Sequence, residues 1–319
     1  MNTMMKKLLL LLCIVGLAGA SYAAPAPSLS GHDLLVAVVG NDYPATPPNF
    51  DCDDFIPALK GQHFDGGCRA LHKANPGIAF VGDSHIRHYG AAALTEFAPL
   101  NPIVISQTEC FPFTADAWHS ARAGDCMSKT KAMLGYLLQT PSIKTVVLSA
   151  RWSSLMSGPK FDHSGPRWLA MSAMEPADRA SFIQNGQHFI GALIKAGKQV
   201  VLMRDIPDLD FDPATCYNIR PVRLGKIDIR QDCSMAQAPF ETRRQLQNAV
   251  LDQVLKPYPQ VKVYDPVPVF CQNGKCKASD GTLPYYLNGD HVNNYGAQLV
   301  FKDFVPKAFP ALAASPATK

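Results

Sequence analysis

Beyond its first two dozen residues the chain has no unbroken apolar run of about 18 residues, the length that crosses a bilayer, so nothing after the start reads as a membrane span. Charge of either sign is sparse at 18% of residues, and the lysines and arginines are scattered rather than massed. That excludes a nucleic-acid footprint and argues against an anionic membrane surface as partner. No CxxC pair occurs, and the histidines are not spaced to complete a zinc site, so no metal and no cofactor is expected. There is no internal repeat and no long low-complexity block.

What is present at the start sets the compartment. Met1 to Lys7 supply a basic opening, Leu8 to Leu17 an apolar core broken by Gly16, and Ala20-Ser21-Tyr22-Ala23 a small-residue cleavage site. This is the pattern of a secretory signal peptide over residues 1–23, with a mature chain from about Ala24, exported to the periplasm or secreted. Cys13 follows Leu12 where a lipid anchor needs a small residue, so no anchor is expected. Loss of Lys6 and Lys7 takes the formal charge of +4 down by two. Of nine cysteines, eight remain, and an even count in an exported chain favours disulfides. They fall into four local couples, which predicts Cys52–Cys68, Cys110–Cys126, Cys216–Cys233 and Cys271–Cys276.

Five short β-branched runs recur, at 78–81, 103–106, 145–148, 200–203 and 261–264. Most are apolar at consecutive positions, as strands buried on both faces of a sheet must be. Between them Phe182, Phe189, Leu193 and Ala196 fit one helical face ahead of a Gly197 cap, and Leu246, Val250 and Val254 another. Strand alternating with helix predicts an α/β fold with a doubly wound, mostly parallel five-stranded sheet between helical layers. Residues 24–76 read as a disulfide-tied lead-in packed on a main domain at 77–307, and 308–319 as a frayed tail.

In such a sheet ligands bind beyond the carboxyl ends of the strands. The stretch "FVGDSHIRHYG" at 80–90 puts Ser84 there, behind Asp83. Ser84 either caps a helix or acts as a nucleophile, and a nucleophile needs a base. His85 and His88 are close in sequence, but His85 should point away. His291, in "NGDHVNNYGA" after the last strand, returns to the same edge, ahead of a helix marked by Ala297, Val300 and Phe304.

"VGDSH", "VVLSARW" and "DHVNNYGA" together resemble the SGNH-hydrolase superfamily, in particular the SGNH domain that bacterial polysaccharide O-acyltransferases carry fused to a membrane acyltransferase-3 domain. The SQTE-Cys110 stretch, "DIPD" at 205–208 and the Cys271–Cys276 couple agree, over roughly residues 50–306. The resemblance implies a three-layer, flavodoxin-like α/β/α fold, Ser84 as acyl-accepting nucleophile and His291 as base. The family's third member is an aspartate three residues before the histidine, where this chain has Asn288. Asparagine can accept the imidazole N–H but brings no charge, which leaves three expectations: a working Ser–His dyad, a triad completed from elsewhere, or a weakened enzyme. Asp290, as the immediate neighbour of His291, should project elsewhere. The usual oxyanion-hole glycine and asparagine are missing, leaving the Ser84 N–H with Gln107 or Arg151 as donors, Asp83 and Asp290 nearby, and Trp152 as a stacking face for a sugar ring.

The function implied is O-acyl, above all O-acetyl, transfer to a cell-surface or matrix glycan, with acyl groups supplied by a separate membrane partner. Two alternatives stand beside it: a glycan O-acetylesterase, and a non-catalytic glycan-binding or assembly module. The acidic loop of Asp205, Asp208, Asp210 and Asp212 lacks the glycine and closing glutamate of a calcium site and reads as solvated. His188 reads as an ordinary surface histidine.

Overall fold

The computed structural model describes residues 31–113, 123–155, 176–217 and 230–314. The expected signal peptide and the last five residues of the tail lie outside them. In chain order the elements are α1 (Gly31–Val39), β1 (Phe50–Asp51), β2 (Cys68–Ala70), β3 (Ile78–Gly82), α2 (Ser84–Arg87), α3 (Gly90–Glu96), β4 (Ile103–Ser106), α4 (Ala123–Gln139), β5 (Thr145–Ser149), α5 (Pro176–Lys195) and β6 (Gln199–Met203). They continue with β7 (Ser234–Ala236), α6 (Gln237–Leu255), β8 (Lys262–Tyr264), α7 (Val267–Phe270), β9 (Cys271–Gln272), β10 (Lys275–Lys277) and α8 (Asn294–Ala308).

The main sheet has the order β1-β2-β4-β3-β5-β6-β8. The five strands from β4 to β8 are parallel and are the five β-branched runs. The sheet nevertheless has seven strands, because β2 pairs antiparallel with β4 at that edge and β1 pairs antiparallel with β2. These two escape detection in the sequence because they are two and three residues long and carry Phe-Asp and Cys-Arg-Ala, with no apolar run. Residues 50–70 thus extend the sheet rather than only packing on it. A second, three-stranded sheet of order β7-β10-β9 lies apart.

Side chains alternate across the strands. Ala79 and Val81 of β3 join α4, α5 and the second half of α6 in one core, while Ile78 and Phe80 join α2, α3 and α8 in the other. In the second core Phe80 meets Phe97 edge-on at 5.2 Å between ring centres and Phe301 at 5.9 Å. Full burial of one such ring contributes about 1.5–3 kcal/mol. The edge strand β8 exposes Lys262 and Val263 because only β6 flanks it. Helix α5 buries Phe182, Phe189 and Leu193 and ends at Gly197, whose φ of 75° lies in the left-handed region. Ala196 is exposed beside it, and in α6 Leu246 faces solvent while Val250, Leu251 and Val254 carry the packing.

All four expected disulfides are present, with Cα–Cα separations of 5.2, 5.5, 5.9 and 3.9 Å in chain order. Such crosslinks persist in oxidising compartments. Among the described residues no helix is long and apolar enough to cross a membrane. Pro310–Ala313 form a further helical turn, so the start of the expected tail is ordered.

Candidate active site

Strand β3 ends at Gly82, where a Cβ would overlap the Ser149 carbonyl oxygen of β5. Glycine therefore lets the two central strands stay paired right up to the turn. Asp83 follows in extended conformation and caps α2: its Oδ1 accepts from His85 N–H at 2.7 Å and its Oδ2 from Arg151 N–H at 2.9 Å. The Ser106 hydroxyl donates to the Asp83 carbonyl at 2.7 Å. One buried residue thereby ties together the carboxyl ends of β3, β4 and β5. Burial pushes the Asp83 carboxyl up to about 6, against the two backbone N–H groups that favour its charge. It is a clamp, closed to substrate.

Ser84 opens α2, and its Oγ lies 2.8 Å from His291 Nε2. His291 Nδ1 in turn lies 2.8 Å from Asp290 Oδ1 and 3.2 Å from Asn288 Oδ1. Asp290 does not project elsewhere, and the loop explains why. Asn288 Oδ1 accepts from both Asp290 N–H at 3.0 Å and His291 N–H at 2.8 Å, while Leu287 N–H donates to the His291 carbonyl. That winds residues 287–291 into an Asx turn tight enough for adjacent side chains to converge. The two backbone donors also hold the Asn288 oxygen toward the ring and exclude the flipped amide.

Asp290 is 4% exposed, and its second oxygen pairs with Arg151 Nη1 at 2.6 Å. Hydroxyl, imidazole, carboxylate and guanidinium form one continuous line. Arg151 is thus committed to the carboxylate.

Trp152 offers no face to a sugar. It is fully buried, stacked between Phe111 at 5.9 Å and Phe113 at 5.5 Å, with its indole N–H bound to the Met203 carbonyl. An aromatic side chain directly after a central strand has the core beneath it, and the core takes it. Gln107 is buried, its Oε1 accepting from Asp65 N–H and its Nε2 without a partner.

The acidic loop is not solvated throughout. Asp210 and Asp212 are exposed, but Asp205 and Asp208 are buried. Asp205 accepts from the Trp152 and Ser153 N–H groups and from Gln247 Nε2, and Asp208 pairs with buried Arg243 at 2.7 Å. Burial first, then the Asp208 charge, push Asp205 up to about 8. These partners come from distant segments, so sequence had no local signal for them. His85 also departs from expectation: its ring centre is 4.6 Å from that of His291, and His88 lies 5.7 Å away. Burial holds both histidines well below the usual imidazole range. Among the described residues one group, His85, Asp290 and His291, has the donor types and spacing to hold a cation. His188 is exposed on α5.

Residues 51–306 match the model of the SGNH domain fused to AT3 domains, about four-fifths of the chain, and the chain belongs to this family. Membership places it among acyl-transferring or ester-cleaving enzymes. Similar solved structures include the periplasmic domain of the lipopolysaccharide acetyltransferase of Salmonella ser. Paratyphi A, at 10% identity and a TM-score of 0.47, covering 73% of this chain and 84% of that one. A candidate acylhydrolase of Bacteroides fragilis NCTC 9343 aligns at 11% identity and a TM-score of 0.40, covering 89% and 100%. No curated protein matches by sequence.

Proposed function

We propose that the protein transfers O-acyl groups, above all acetyl, to hydroxyls of a cell-surface or matrix glycan through an acyl-enzyme on Ser84. The observation that carries this is the 2.8 Å approach of Ser84 Oγ to His291 Nε2, with Asp290 at the same distance behind the ring. His291 Nε2 takes the hydroxyl proton as Oγ bonds to the acyl carbon, and returns it to the departing oxygen of the donor. An acceptor hydroxyl then gives its proton to Nε2 and attacks the ester carbon; the bond from that carbon to Oγ breaks, Nε2 returns the proton to Oγ, and the acceptor leaves with the acyl group. The oxyanion of each tetrahedral intermediate is met by the Ser84 N–H and by Gln107 Nε2, a donor that now has no acceptor. Asp290 keeps the imidazole in the tautomer with Nδ1–H and favours its cation.

The donor is a separate membrane acyltransferase, a reading supported by the family's fusion to AT3 domains. The mature protein is an exported one cut near Ala24, and its SGNH domain takes in β1 and β2 as well as residues 77–307. A second activity, hydrolysis, is favoured by the partial exposure of His291, whose side chain is 18% accessible, so water competes for the acyl-enzyme. A non-catalytic module loses its main support, since Asn288 no longer leaves the ring without a carboxylate. Mass spectrometry of the protein after p-nitrophenyl acetate, wild type beside Ser84→Ala, tests the nucleophile: an acetyl adduct on Ser84 with Ser84-dependent nitrophenol release is expected. Inertness of both folded proteins would refute it. Adding candidate glycans then separates transfer from hydrolysis.

A further inference from the structure

We propose that His85, Asp290 and His291 form a site for a zinc-class divalent cation whose occupancy switches the Ser84–His291 pair off. One ring nitrogen of each histidine and one Asp290 carboxylate oxygen lie within 4.8 Å of one another. The sequence hides this group, because its members come from opposite ends of the chain. A second observation concerns the same ring: His85 is 2% exposed, and its Nε2 is sealed in the interior without a hydrogen-bond partner. A buried imidazole nitrogen in that state has lost its water and gained nothing. A cation would supply the missing partner.

The donor set selects the ion. Two imidazoles and one carboxylate, with a fourth position left for water, is a combination that zinc accepts, whereas magnesium and calcium favour oxygen ligands throughout. Bonds of about 2.0–2.2 Å place tetrahedral ligand atoms roughly 3.4 Å apart, so the three donors need to close by an ångström or so. Small side-chain rotations suffice for that. Arg151 stays paired to the other Asp290 oxygen and anchors the carboxylate meanwhile.

The effect on catalysis follows from the imidazole itself. A neutral ring has one free lone pair and one N–H. If the cation takes Nε2, the Ser84 hydroxyl loses its acceptor directly; if it takes Nδ1, the proton must sit on Nε2, which then accepts nothing. Either way the Ser84 proton has nowhere to go. The inhibition rests on the acyl-transfer reading, whereas the binding does not.

The test titrates metal-free, tag-free protein with zinc chloride against a chromogenic chelator. One zinc per chain is expected, weakened by more than about tenfold in His85→Ala and His291→Ala, since loss of even an outer-sphere partner weakens metal sites by that much. His188→Ala should keep wild-type affinity, and magnesium should not compete. Cobalt(II) should give the strong visible absorption of a four-coordinate site in wild type and lose it in His85→Gln, a variant that keeps the side-chain volume. Unchanged zinc affinity in both His85 variants would overturn the site. In the second arm, stoichiometric zinc should abolish p-nitrophenyl acetate turnover and EDTA restore it; turnover that persists with zinc bound refutes the switch. Zinc binding lost with His85 in a protein that never turns over esters would uphold the site and defeat the acyl-transfer reading instead.

Discussion

Asp290→Asn is the substitution that separates this site from the family pattern. The wild-type carboxylate lies 2.8 Å from His291 Nδ1 and is paired on its far side with Arg151. A unit charge about 4 Å from the imidazolium, at an effective dielectric of ~20, stabilises it by about 4 kcal/mol. The guanidinium, one carboxylate's width further out, cancels roughly half, leaving ~2 kcal/mol or about thirtyfold in turnover. Asparagine also takes from buried Arg151 its ion pair with Asp290, which should take the loss to about a hundredfold. That is well short of the roughly ten-thousandfold loss of the same exchange in a serine protease. Steady-state hydrolysis of p-nitrophenyl acetate should show the fall in kcat with KM little changed. Asp290→Asn combined with Arg151→Gln should recover part of it. Asn288→Asp should change turnover by no more than about threefold, because the oxygen at 288 serves two backbone N–H groups first. If Asp290→Asn stays within about threefold of wild type while Asn288→Ala loses more, Asn288 is the orienting residue and the assignment fails.

Other outcomes follow from the same geometry. Asp205 is pushed up to about 8, so below that pH the folded state holds a proton that the unfolded chain, with its carboxyl near 3.8, has released. This group's contribution is complete below about pH 4 and is lost as pH rises through about 8, at up to ~1.4 kcal/mol per unit. Urea unfolding across that range should show a steeper decline in wild type than in Asp205→Asn, and equal slopes would refute the shift. Trp152→Ala should cost about 3–5 kcal/mol of unfolding free energy, since it empties the slot between Phe111 and Phe113. Gln107→Leu should lower kcat by about a hundredfold and cost about 1 kcal/mol of stability, since it gives up the bond from Asp65 N–H while removing an unpaired buried donor; normal kcat would remove Gln107 from the oxyanion site. Removing Cys52–Cys68, which spans 16 residues, should cost about 3 kcal/mol, and amide exchange should quicken in β2.

The four inner parallel strands were legible because residues buried on both faces are apolar at nearly every position, and β8 at the edge because Val261 and Val263 keep it β-branched. The four couples of cysteines were legible because each pair is local. The edge strands β1 and β2 were not, since two or three paired residues carry no period. Ser84 and His291 could be placed on one sheet edge from topology alone. Asp290 could not, because its direction depends on an Asx turn that a side-chain amide makes with its own backbone. Trp152 and the Asp205 and Asp208 carboxylates were misjudged for one reason: residues just past a strand may rise to the ligand or sink into the core, and only the packing of distant segments decides which.

Ser84 and His291 are 207 positions apart in the chain. The serine is therefore an unactivated alcohol until α8 and the loop before it have folded back against β3, which requires nearly the whole polypeptide. A chain cut between residues 152 and 290 keeps Ser84, Asp83 and Arg151 yet lacks the imidazole that lies against the hydroxyl. On the acyl-enzyme reading, distance along the chain itself keeps unfinished or clipped molecules from being acylated at Ser84.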